Sequence, residues 1–175
     1  LIHARYEFTS HSSVETIKKL ISEGKVQLLS FMDHSPGQGQ FGTIEKWKEY
    51  YLPVYELSEE RASEVLQDQR QKRSINYKFI KELAVFAKEH GLILASHDDD
   101  RPEKIDMMED LGVTIAEFPL NVETAIYARS RKMITGMGAP NVVRGKSQSG
   151  NISARELIKL GCCDFICSDY HPTSM

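Results

Sequence analysis

The sequence predicts an α/β fold in which helices flank a parallel sheet. Six short apolar runs alternate with segments of helical periodicity, which is the pattern of repeated βα units. Histidine or acidic residues follow several of these runs directly, as is typical where the parallel strands of a barrel end. A closed (β/α)8 barrel needs roughly 250 residues. A chain of 175 residues therefore fits about three quarters of such a barrel.

The six apolar runs are expected to form strands. They lie at residues 1–8, 26–32, 92–96, 113–117, 132–137 and 164–168. The run at 26–32 is nearly continuous, as expected for a strand that is buried on both faces. Because an incomplete barrel would leave bare strand edges, we expect it to be open or closed by a partner chain, which makes a homo-oligomer one expectation.

The helices between these strands are predicted from capping signals and periodicity. Ser12-Ser-Val-Glu15 and Ser153-Ala-Arg-Glu156 match the capping box. Residues 102–111 and 122–131 are expected to form further helices. Residues 136–151, between the fifth strand and the helix at Ser153, are expected to form a glycine-rich loop.

A charged helical insertion is predicted at residues 43–90. Three helices are expected in it, beginning near Thr43, at about Leu57 and at about Ser74. Such an insertion is long for one crossover between strands. It is expected to cover a site as a lid, with simple packing on the barrel as the alternative.

Composition excludes several classes of protein. The net charge of −3 gives no support for a nucleic-acid partner. No apolar run approaches the roughly 18 residues of a membrane span, and no signal peptide is recognised. The three cysteines have neither disulfide nor zinc spacing, which suits the cytoplasm. Because the chain begins inside a predicted strand, we expect it to be a piece of a longer protein.

Polar side chains collect at the predicted strand ends. They are Glu7, His34, His97, Glu117 and Asp169. One such histidine is usually an ordinary loop residue, but five polar residues at the same end of successive strands favour a site. Imidazole and carboxylate ligands of this kind suit a divalent metal, with zinc favoured and manganese or iron as alternatives.

Other titratable residues receive different interpretations. His3, His11 and His90 are expected to take no part in the site, and His171 is a weaker ligand candidate than Asp169. The triplet at residues 98–100, which is entirely aspartate, could orient ligands or transfer protons, but acidic triplets are usually solvated turns.

The stretch from Gly136 to Asn151 has the composition of a polyanion-binding loop. Its glycines let the backbone approach a ligand. Its cations and hydroxyl groups can neutralise phosphate and donate to its oxygens. The residues expected to bind substrate are Arg144, Lys146, Ser147, Ser149, Asn141 and, from the fourth strand end, Glu117. A surface loop without a ligand is the alternative, and no Walker motif is present.

With these motifs assembled, the chain resembles the PhnM family of the amidohydrolase superfamily. The matching stretches occur in order along nearly the whole chain: Met32-Asp-His-Ser-Pro-Gly-Gln, Ala95-Ser-His-Asp-Asp, Ala116-Glu-Phe-Pro, Met137-Gly-Ala-Pro-Asn-Val-Val-Arg-Gly, Ser149-Gly-Asn and Ser168-Asp-Tyr. The resemblance implies a metal-dependent TIM barrel of amidohydrolase type, of which residues 1–175 hold strands three to eight. It also implies that the first two strands and a small β domain lie outside these residues.

The resemblance further implies a function. The family hydrolyses alpha-D-ribose 1-methylphosphonate 5-triphosphate and releases diphosphate, in phosphonate catabolism by the carbon–phosphorus lyase pathway. The implied metal ligands are Glu7, His34, His97 and Asp169, and Asp169 would also act as the general base. The expected partner is a small phosphorylated sugar.

Two alternatives remain open at this point. The first is hydrolysis of an amide or cyclic amide, which is the commoner chemistry of the superfamily and needs no polyanion-binding loop. The second is a piece without a complete site, or a binding subunit, because the metal ligands of the first strand would be missing. In that case the 175 residues alone are expected to be inactive.

Overall fold

A computed structural model describes residues 2–39, 42–145, 151–168 and 173, with the backbone alone for residues 69–76. Six parallel strands form one sheet in the order β1-β2-β3-β4-β5-β6. The strands are β1 His3–Glu7, β2 Leu28–Met32, β3 Ile93–His97, β4 Ile115–Glu117, β5 Ile134–Gly138 and β6 Phe165–Cys167. All six predicted strands and their parallel arrangement are therefore confirmed.

Seven α-helices connect the described strands. They are α1 Val14–Ser22, α2 Ile44–Tyr55, α3 Glu59–Glu89, α4 Pro102–Asp110, α5 Val122–Ser130, α6 Ala139–Arg144 and α7 Ala154–Lys159. A short 3-10 turn, His11–Ser13, precedes α1. Among the helices of the described residues, none has both the length and the apolar composition needed to cross a bilayer.

The main core lies between one face of the sheet and helices α1, α3 and α4. Leu29 and Phe31 of β2 and Leu83 of α3 are fully buried in it. Side chains alternate between the two faces of a strand, so the residues between them point to the opposite face. That second face carries the polar side chains of β1, β3 and β4.

The insertion at 43–90 contains two helices rather than the three predicted. The second and third predicted helices form the single 31-residue helix α3. The polar stretch before Ser74 lacks apolar periodicity, but glutamine, lysine and arginine sustain a helix by intrinsic propensity. Trp47 of α2 and Ala62 of α3 form a small separate core between these two helices.

The glycine-rich stretch after β5 is also more regular than predicted. Strand β5 continues to Gly138. The ring of Phe165 lies over Gly136 and leaves no room for a side chain there. Helix α6 follows with Pro140 in its first turn. It ends at Gly145, whose φ of 74° is the left-handed conformation of a helix C-terminus. Residues 146–150 lie outside the described part of the chain.

Neither predicted capping box forms among the described residues. Helices α1 and α7 begin at the expected places, but their N-caps make no side-chain capping bond. The Ser13 hydroxyl donates to the carbonyl of Ser10. The Ser153 hydroxyl donates to the carbonyl of Gly145 at 3.0 Å and so joins α7 to the end of α6.

Candidate metal centre

The carboxyl ends of β1 to β4 bring four of the predicted site residues together. Glu7, Met32, His97 and Glu117 are partners in register across these strands. His34 follows β2 by two residues. The predicted convergence of Glu7, His34, His97 and Glu117 on one end of the sheet is thus observed. Asp169 lies outside the described residues.

Glu7 orients the ring of His34. One oxygen of the Glu7 carboxylate accepts the backbone N–H of His34 at 3.0 Å. The other lies 2.9 Å from His34 Nδ1. The opposite ring nitrogen, Nε2, lies 3.4 Å from Asp98 Oδ2. A carboxylate on one nitrogen of an imidazole is the usual way to aim the other nitrogen at a metal.

His97 completes a compact set of ligand atoms. Its Nδ1 lies 3.2 Å from Asp98 Oδ2. Arg5 Nη2 lies 2.8 Å from the other ring nitrogen, Nε2. One ligand atom each from His34, His97 and Asp98 can be chosen so that all three lie within 4.8 Å of one another. His97 Nδ1 is buried, and Asp98 Oδ2 is the polar atom that it faces.

This arrangement fits a divalent cation. Three protein ligands with a further position open are typical of catalytic zinc sites. Two imidazoles and one carboxylate also suit manganese and iron. A bound ion would take one ring nitrogen of His97 from its present contact, either Nε2 from Arg5 or Nδ1 from Asp98. The group of candidate ligand atoms includes Asp98, and Glu7 contacts the Nδ1 of His34.

The protonation of the cluster follows from its charges. Burial lowers the pKa of His34, but hydrogen bonds with Asp98 and Glu7 outweigh this effect and raise the pKa to about 9. Burial raises the pKa of Asp98, but the imidazoles of His97 and His34 hold it well below its usual range. Without a metal, His34 is therefore a cation between two carboxylates. A metal ion at Nε2 would have to displace its proton.

A second group of polar contacts, centred on His3, lies on the same face of the sheet. His3 Nε2 is 2.8 Å from the Ser30 hydroxyl and 3.6 Å from Glu117 Oε2. Burial raises the pKa of Glu117, although His97 and Arg5 oppose the shift. His3 is thus hydrogen-bonded within the sheet.

Helix α2 stands beside the site. Burial and the charge of Glu7 raise the pKa of Tyr51 to about 12. The ring of Tyr51 stacks on Tyr55 and packs at 4.9 Å from Trp47. Helix α2 of the insertion therefore lies close enough to the candidate centre for the charge of Glu7 to affect Tyr51.

The predicted anion-binding residues are only partly described. Lys146, Ser147 and Ser149 lie outside the described residues. Arg144 is exposed at the end of α6. The amide of Asn141 donates to the carbonyl of Ile152 and accepts the N–H of Ala154, so it joins α6 to α7.

Three residues that contact the site were not predicted from the sequence as part of it. Asp98 was expected in a solvated turn, but Asp98 and Asp99 are buried. Arg5 lies inside β1, where an arginine followed two residues later by Glu7 on the same face was the available signal. Lys104, in the first turn of α4, donates to the carbonyls of His97 and Asp98. No sequence pattern indicated that contact.

Comparison with known proteins confirms the resemblance inferred from the motifs. The chain is 39% identical over 175 residues to alpha-D-ribose 1-methylphosphonate 5-triphosphate diphosphatase of Escherichia coli (strain K12). The alignment covers 99% of this chain and 46% of that protein. The chain thus spans about half the length of the curated relative that it matches.

Two other comparisons add little. No family model matches the chain. Among solved structures, a D-psicose 3-epimerase crystallised in the presence of D-fructose aligns with 94% of this chain and 73% of its own. Its TM-score of 0.32 at 11% identity carries no conclusion about fold or function.

Proposed function

We propose that this chain forms part of a metal-dependent diphosphatase that hydrolyses alpha-D-ribose 1-methylphosphonate 5-triphosphate and releases diphosphate in phosphonate catabolism. The observation that carries the proposal is the cluster of His34, His97 and Asp98 at the strand ends. It occurs in a chain of which 99% aligns with part of a named diphosphatase.

The six strands would be the third to eighth of an amidohydrolase (β/α)8 barrel, with residues 43–90 as a helical insertion. The sequential parallel order supports this proposal. So do Ile93 and Ile134, which are 53% and 49% exposed on the face of the sheet that carries the site. In a closed barrel this face is the packed interior. The first two strands and the β domain would belong to the remainder of the protein.

The proposed mechanism assigns a task to each group. His34, His97 and Asp98 would hold the ion, and Glu7 would orient His34. A divalent ion held by these residues would supply Lewis-acid chemistry, by lowering the pKa of water toward about 7 and polarising a phosphoryl oxygen. Asp169 is the proposed general base that takes the proton of the attacking water.

The substrate contacts are proposed at two places. Arg144, Lys146, Ser147, Ser149 and Asn141 would bind the triphosphate, and Arg144 and Lys146 would offset charge on the leaving diphosphate. Glu117, buried beside His97, remains a predicted substrate-binding residue.

The first test removes one ligand from the full-length protein. We expect His97→Ala to lower bound metal and diphosphate release together, because each depends on the same imidazole. The matched control is His90→Ala, since His90 is exposed on the far end of α3. Metal content and turnover equal to those of the control would contradict the proposal. Release of ammonia or an amine from amide substrates, without diphosphate release, would indicate amide hydrolysis instead.

The second test concerns the phosphate-binding stretch. We expect Arg144→Ala to weaken triphosphate binding by roughly 10-fold or more, since a charge-assisted hydrogen bond contributes about 1.5–3 kcal/mol. Binding of a neutral ribose analogue should be unchanged. Arg61→Ala serves as the control, because it removes an exposed arginine of α3 that is distant in sequence from Arg144. Equal losses for both ligands would show that Arg144 has a structural role.

A further inference from the structure

Lys104 occupies an environment that is unfavourable for a cation. Its side chain is 4% exposed, and burial of an ammonium group costs several kcal/mol unless it is compensated. It also lies in the first turn of α4, which begins at Pro102. The macrodipole of a helix disfavours positive charge at its N-terminus. Local preferences therefore argue against lysine at this position, so the reason for it must be tertiary.

The contacts of Lys104 supply that reason. Its Nζ donates to the backbone carbonyls of His97 and Asp98, at 3.2 Å each. Asp99 Oδ1 lies 3.5 Å away and is fully buried. The other oxygen of Asp99 accepts a hydrogen bond from the Ser96 hydroxyl. One cation on helix α4 thus contacts two backbone carbonyls and one carboxylate of three consecutive residues at the end of β3.

The backbone that Lys104 contacts is conformationally unusual. Asp98 has a φ of 55°, in the left-handed region that non-glycine residues adopt at a cost. Its N–H donates to the carbonyl of Glu117 at 3.0 Å and so keeps the turn attached to β4. Such a conformation persists only when surrounding contacts hold it. Lys104 provides two of those contacts from the opposite side of the sheet.

We propose that Lys104 is a positioning residue, which fixes the turn from His97 to Asp99 so that the His97 imidazole and the Asp98 carboxylate both face the candidate metal centre. The inference rests on the proposed function, because it assumes that these two side chains bind an ion. Lys104 itself contacts neither the ion nor the substrate. It acts through the direction in which the two neighbouring side chains leave the backbone.

The test uses the full-length protein and two substitutions of different severity. Lys104→Met keeps the length of the side chain but removes every donor, whereas Lys104→Gln keeps a neutral donor. Lys19→Met makes the same chemical change at an exposed site, where the side chain is 77% exposed. Zinc affinity is measured by competition with a coloured chelator. The visible spectrum of the cobalt-loaded protein reports ligand geometry, which a purely structural role would leave unchanged.

We expect Lys104→Met to lower zinc affinity by roughly 10–100-fold, as is typical when a residue that supports metal ligands is removed. Lys104→Gln should lower it less, and both should alter the cobalt spectrum while Lys19→Met does not. If Lys104→Met fails to fold, Lys104→Gln decides the question. Zinc affinity within about twofold of the wild type, with an unchanged cobalt spectrum, would overturn the inference.

His97→Ala separates the two proposals. If it binds zinc as tightly as the wild type does, the metal centre is wrong and the role of Lys104 falls with it. If His97→Ala loses zinc while the Lys104 variants retain it, only the role of Lys104 is overturned.

Discussion

The protonation of His34 is determined by the charges of its neighbours. Its ring lies between the carboxylates of Glu7 and Asp98, and its position after β2 was predicted from the sequence. The role of Asp98 was not predicted. An aspartate triplet usually lies in solvent, whereas Asp98 has a left-handed backbone conformation and its carboxylate contacts the two imidazoles. A sequence pattern does not specify such a local conformation.

The raised pKa of His34 predicts a pH-dependent stability of the metal-free protein. The folded-state pKa of about 9 exceeds the ordinary 6.5. Protonated His34 therefore stabilises the fold by on the order of 3 kcal/mol below pH 6.5, and this contribution is lost as the pH rises through 9. Urea unfolding with a chelator present, compared with His34→Gln, should show a gap that shrinks toward alkaline pH.

His90→Gln is the control for this measurement, because His90 is exposed. A gap between wild type and His34→Gln that is as large at pH 10 as at pH 6 would contradict the charge assignment.

At the scale of elements, strands were easier to predict than helices. Each strand is an apolar run with a polar residue at its end, and these features are local. The length of α3 was not predicted, because the polar residues 69–74 interrupt the apolar periodicity without ending the helix. Helix α6 was missed because its short sequence lies between glycines. The packing of Phe165 over Gly136 was not predicted either, because Phe165 lies far along the chain from β5.

The N-terminus of α5 provides a test of element stability. The Asn121 side chain accepts the N–H of Thr124 at 2.8 Å and donates to the carbonyl of Asp100 at 2.7 Å. We expect Asn121→Ala to reduce the free energy of unfolding by about 2 kcal/mol, since both a cap and a loop contact are lost. Chemical denaturation measures the change.

Ser58→Ala is the matched comparison for Asn121→Ala. Ser58 caps α3 through the N–H of Arg61 at an exposed position, so its loss should cost about 1 kcal/mol or less. If the two substitutions cost the same, the bond from Asn121 to Asp100 contributes nothing measurable.

At the scale of the whole molecule, the sheet has two edges and an exposed apolar area. In the described part of the chain, β1 and β6 each pair with one neighbour. Ile93 and Ile134 are exposed on the face of the sheet that carries the candidate centre. The order of the six strands was predictable because each unit repeats the same pattern. What covers this face was not predictable, because it depends on residues outside these strands.

This face predicts how the isolated 175-residue chain behaves. We expect it to self-associate as its concentration rises, because edges and apolar surface are available to a second copy. Sedimentation velocity should show less association for the double substitution Ile93→Thr and Ile134→Thr. Ile158→Thr, which changes an exposed isoleucine of α7, should have no effect. Equal association in all three chains would show that this face is not involved.

Helix α3 has a mechanical consequence. At 1.5 Å per residue its 31 residues extend about 46 Å. Its C-terminal half is anchored in the main core by Leu83 and Ala87, and its N-terminal half supports Trp47. We expect a continuous helix of this length to move as one unit. If the insertion acts as the predicted lid, we expect the movement to come from α2. Tyr51 of α2, whose pKa is raised in part by the charge of Glu7, would then change its distance from that carboxylate.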